Sequence, residues 1–122
     1  MKIKSIFLTI SCLTYMGLAH SHGEMIMVES KFGDGLQSFQ FTVNGEKSSV
    51  CARAGGGYCP NRMFVTIEPN KDNIFNLYSF EPRYRYTISD SCINQIINVK
   101  PNSGATITIV RDDRTIVCKY IK

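Results

Sequence analysis

The stretch LQSFQFTVNGEKSSVCA, residues 36–52, decides the fold class. Its first half alternates. Phe39, Phe41 and Val43 fall on one face of an extended strand, and Gln40 and Thr42 on the other. Asn44-Gly45 follows at once. Both residue types tolerate positive φ, which a type I′ hairpin turn demands at its two central positions. The chain then returns as EKSSVCA (46–52). This segment predicts a β-hairpin with one apolar face, which needs a second layer to cover it.

The period of two continues in both directions. EMIMVES (24–30) reads as a first apolar strand, followed by the loop KFGDG (31–35). MFVTIEP (63–69) is a strand that ends in PNKDN. IFNLYSF (74–80) puts Phe75 and Leu77 on one face, Ile74 and Tyr78 on the other. EPRYRYTIS (81–89) sets Arg83, Arg85 and Thr87 opposite Tyr84, Tyr86 and Ile88. In DSCINQIINVK (90–100), Ile93, Ile96 and Ile97 suit a short helix, while their β-branching argues for strand. PNSG (101–104) is a turn, and ATITIVR (105–111) and TIVCKYI (115–121) form a hairpin around Asp112-Asp113. About eight short strands spaced by turn signals predict an all-β fold. We expect a small antiparallel β-sandwich of immunoglobulin-like size, with a small β-barrel as the alternative. The chain has no Trp, so the Cys…Trp…Cys hallmark of antibody domains is missing.

The first 21 residues, MKIKSIFLTISCLTYMGLAHS, carry the three-part pattern of a secretory signal peptide, bacterial in style. Lys2 and Lys4 form the charged start, and an apolar run and small residues follow. That run is shorter than the roughly 20 residues of a membrane span. Cleavage is expected after Ala19 or after Ser21, leaving a single domain that runs to residue 122. Losing the leader takes Lys+Arg from 14 to 12 against 10 acidic residues, so the formal charge falls from +4 to +2. A nucleic-acid partner would call for a clustered basic face, and none is expected.

Cys12 leaves with the leader, and Cys51, Cys59, Cys92 and Cys118 remain. An even set in a small exported domain reads as two disulfides. Four Cys allow three connectivities, and sequence proximity favours Cys51–Cys59 with Cys92–Cys118. Chain entropy assigns these loops about 2.6 and about 3.6 kcal/mol. Their spacing does not suit a four-thiolate zinc site.

Cleavage after Ala19 would leave His20-Ser21-His22, whose amine, amides and third-position imidazole can wrap Cu(II) in a square plane. Cleavage after Ser21 would let His22 offer its amine and imidazole as a brace. In that form the terminus His22-Gly23 resembles lytic polysaccharide monooxygenases and periplasmic copper-carrier β-sandwiches, which begin with histidine after export. The resemblance covers those residues and the fold class, and it implies copper at the terminus. Those families finish the site with another His on the sandwich, whereas no His follows His22 here.

The expected recognition site is the pinched loop CARAGGGYCPNR (51–62). Arg53, Tyr58 and Arg62 are of types enriched at binding hot spots, and loops on a rigid scaffold commonly carry recognition. No G-x-S-x-G, H-E-x-x-H or phosphate-binding loop is present, and no carboxylate pair stands out. The leading expectation is therefore a secreted or periplasmic, non-catalytic binding module for a protein or glycan, with no bound cofactor. A copper-binding protein is the alternative, and a carboxylate-based hydrolase comes third.

Overall fold

The computed structural model describes residues 24–32, 38–51, 59–81 and 86–122. They form nine strands: β1 (Glu24–Ser30), β2 (Ser38–Val43), β3 (Glu46–Cys51), β4 (Arg62–Ile67), β5 (Asn73–Glu81), β6 (Thr87–Ile88), β7 (Gln95–Ile97), β8 (Thr106–Asp112) and β9 (Thr115–Ile121). Two sheets result. One has five strands in the order β4-β1-β8-β9-β6, and the other has four in the order β3-β2-β5-β7. This is the expected all-β, two-sheet architecture. Most pairings are antiparallel, but β1 runs parallel to β8 and β6 parallel to β9.

The hairpin at 44–45 forms as its sequence demands. Asn44 and Gly45 have φ of 52° and 84°, and Val43 sits opposite Glu46. Phe39, Phe41 and Val43 are buried while their alternates are not. On β5 the pairing with β2 shifts between Gln40 and Phe41, which sit opposite Ser79 and Leu77. Tyr78 is the extra residue of a β-bulge. A bulge changes the phase of the alternation. That is how Phe75, Leu77 and Phe80 all reach the core. Phe41 and Phe75 pack with ring centroids 5.3 Å apart, and Phe32 touches both Phe39 (5.2 Å) and Tyr86 (5.0 Å, edge-on). The five-stranded sheet answers with Ile26, Val28, Ile67, Ile107, Ile109 and Ile116.

The segment 90–100 divides between the two readings its sequence allows. A short 3₁₀ turn covers Asp90–Cys92, with Ser89 as its cap, and β7 follows. Asn94, at φ 48°, breaks the chain between them. A helix would not bury Ile97 while leaving Ile93 and Ile96 outside, as the structure does. The 3₁₀ turn is held to β9 by the Cys92–Cys118 disulfide and by the Cys118 N–H, which donates to Ser91 Oγ at 3.0 Å. The second disulfide joins Cys51 to Cys59. Two disulfides belong to an oxidising compartment. Among the described residues no helix is long and apolar enough to cross a membrane.

One buried polar residue ties the elements together. Asn73 accepts from Asn44 Nδ2 and from the Glu68 N–H, both at 2.9 Å. It donates to the carbonyls of Glu68, Lys71 and Ile97 at 2.9, 3.0 and 3.1 Å. It thus joins the β2–β3 hairpin, the β4–β5 turn and β7.

Candidate functional site

The foot of the pinched loop is built by both sheets. Cys51 ends β3, and its disulfide holds Cys59 with the Cα atoms 5.6 Å apart. The Cys51 N–H donates to the Pro60 carbonyl at 3.0 Å, and the Ser30 N–H of β1 donates to the Asn61 carbonyl at 2.8 Å. The exit of the loop is therefore clamped to β3 on one side and β1 on the other. Arg62 opens β4 at this foot and is exposed. Arg53 and Tyr58 lie outside the described residues, as do His20 and His22.

Arg62 stands on the outer face of the five-stranded sheet, opposite Glu29. Glu29 is already engaged: Thr108 Oγ1 donates to its carboxylate at 3.2 Å, and Lys31 Nζ lies 3.8 Å away. Among the described residues no acidic side chain forms an ion pair with Arg62. Lys119 lies beyond Thr108 in the same row. This part of the face thus holds three cationic residues, Arg62, Lys31 and Lys119, and one carboxylate, Glu29.

The next level is apolar. Phe64 of β4, Met27 of β1, Thr106 of β8 and Ile121 of β9 follow one another in register, with Met25 and Thr66 alongside. Phe64 is 59% exposed, Ile121 56% and Met25 53%. Large contiguous exposed apolar patches are a feature of interaction surfaces. A smaller set, Ile74 and Ile96, sits side by side on the outer face of the other sheet, with Tyr78 farther along the same strand.

Of the residues expected from the sequence, the structure describes Arg62 here; Met25, Phe64 and Ile121 were not among them. The only signal for them was apolar residues on both faces of β1 and β4. RYRY (83–86) is described only at Tyr86, which packs on the core and accepts from Arg111 Nη1 at 3.3 Å. Among the described residues no three His, Cys, Asp or Glu side chains gather as metal ligands. Among the described residues, burial raises the Tyr120 hydroxyl above its ordinary pKa.

The chain is thus a two-sheet, doubly disulfide-bonded β-sandwich with an apolar and cationic outer face beside a stapled loop. No family model, curated protein or solved structure matches it. Its functional reading rests on its own residues.

Proposed function

We propose that this chain is an exported, non-catalytic binding module. It recognises a protein or glycan outside the cytoplasm through the Cys51–Cys59 loop and the sheet face at its foot. The observation that carries this reading is the clamped loop foot, where exposed Arg62 adjoins Phe64. A disulfide that shortens the free loop reduces the entropy lost when the loop meets a partner. Arg62 is exposed and forms no ion pair with a described carboxylate, so its guanidinium is available for bidentate contact. The two disulfides support the oxidising compartment that such a module would work in.

The test is an immobilised chain screened against purified extracytoplasmic proteins and a glycan array. Each ligand found is then remeasured by calorimetry. Arg62→Ala and Arg53→Ala should each weaken binding roughly tenfold or more, the scale of a hot spot. A ligand whose affinity survives Arg53→Ala, Tyr58→Ala and Arg62→Ala binds elsewhere and refutes this reading.

A further inference from the structure

The two sheets expose four edge strands, and three of them are guarded against pairing. β6 has two residues and β7 three, too short to template a partner. β3 begins with Glu46 and Lys47, charges of the kind that blunt an edge. β4 differs: it has six residues, no Pro, no bulge, and a single charge at its first position.

The backbone of β4 is also aimed outward. The Ser30–Asn61 hydrogen bond sets the phase of the β1–β4 ladder, so Met63, Val65 and Ile67 bond to β1. The N–H and C=O groups of Arg62, Phe64 and Thr66 therefore point away from the sheet. No strand among the described residues pairs with them.

We propose that β4 is the edge through which two copies of this chain pair, antiparallel and about a two-fold axis at Phe64. In that register Phe64 meets Phe64 of the second copy, and Arg62 faces Thr66 at both ends. All three outward-aimed residues are used, giving about six interchain hydrogen bonds. No like charges are opposed. The two Phe64 rings become cross-strand neighbours on one outer face, flanked by both Met27 rows, and an aromatic pair is a favoured cross-strand contact. Half-buried Met63 and Val65 face each other on the inner side, where each gains cover. The same patch serves both copies, as a closed two-fold interface requires. Shifting the axis to Met63 would set the third residue against Pro60, which has no N–H.

Sedimentation velocity on the purified chain from about 1 to 100 µM tests this. The expected species is a dimer. Thr66→Lys sets like charges opposite Arg62 twice and should raise the dimer Kd roughly tenfold; Thr66→Glu should lower it by a similar factor. Both positions are exposed, so the fold is spared. Ile96→Lys, on the other sheet, should change nothing. Phe64→Cys should form an intermolecular disulfide in an oxidising buffer, because the two-fold pair puts its Cα atoms about 5.5 Å apart. A monomer throughout the range overturns the proposal. So does a dimer in which the two Thr66 variants move Kd in the same direction or not at all, or one that Ile96→Lys dissociates.

Discussion

Replacing Asn73 with Ala should be the most damaging single change of a polar residue in the described structure. The side chain is 1% exposed; its oxygen accepts two hydrogen bonds and the two hydrogens of its amide are shared among three carbonyls, five contacts in all. Truncation leaves the Ile97 carbonyl, the most enclosed partner, without its Asn73 contact, at about 1–2 kcal/mol. The other four partners are part-buried, so water can replace some of what they lose, at about 0.5–1 kcal/mol each. The sum is about 4 kcal/mol, a large share of the roughly 5–15 kcal/mol that holds a domain together. At about 4–8 °C per kcal/mol for a domain of this size, Tm should fall by roughly 15–30 °C. Urea unfolding followed by circular dichroism should show a lower midpoint at unchanged slope.

Two companions sharpen the test. Asn98→Ala removes one exposed bond, to Asp72, and should cost less than about 0.5 kcal/mol. Asn44→Gly keeps the positive φ but loses the bonds to Asn73 and from the Ile74 N–H. A double-mutant cycle between positions 44 and 73 should therefore return about 1 kcal/mol of coupling. An Asn73→Ala cost below about 1 kcal/mol, with no coupling to position 44, would refute the claim that this network joins the hairpin, the turn and β7.

Gly45→Ala should cost about 1–2 kcal/mol in the same assay, because its φ of +84° strains any Cβ although nothing lies within 4 Å of it. Replacing both members of a disulfide by Ser should cost more at Cys92–Cys118 than at Cys51–Cys59, about 3.6 against about 2.6 kcal/mol by loop entropy. A mild reductant should open Cys51–Cys59 first, since Cys92 and Cys118 are 0% and 2% exposed; peptide mapping with alkylation reads the order. Stability should fall as pH rises above about 10. There the unfolded chain loses the Tyr120 proton while burial still holds it in the fold, and Tyr120→Phe should flatten that decline.

The strands were legible because alternation is local. Phe39, Phe41 and Val43 announce their shared face within five residues, and Asn44-Gly45 announces its turn within two. The β5 bulge was not legible. Phe75 and Leu77 keep phase and Phe80 breaks it, and only the register with Gln40 and Phe41 shows why. The parallel pairing of β1 with β8 was equally hidden, since it joins residues some eighty positions apart. Asn73 read as the end of a turn, because nothing in PNKDN says which of its polar residues goes inside. Of the candidate site, Arg62 could be named locally, as a hot-spot residue type beside the paired cysteines, whereas Met25, Phe64 and Ile121 look like core residues in any local window.

That last ambiguity has a physical meaning at β4. Strands buried on both faces carry apolar residues at successive positions, whereas edge and one-sided strands alternate with polar ones. Met63, Phe64 and Val65 give β4 the composition of a strand covered on both faces, yet Phe64 is exposed and the sheet order puts β4 at an edge. In β3, β6 and β7, composition or length agrees with an edge position. The conflict at β4 lessens when a second β4 lies against the first. Phe64 then has an aromatic neighbour on its outer face, Met63 and Val65 gain one on the inner face, and the outward-aimed N–H and C=O groups of Arg62, Phe64 and Thr66 are paired.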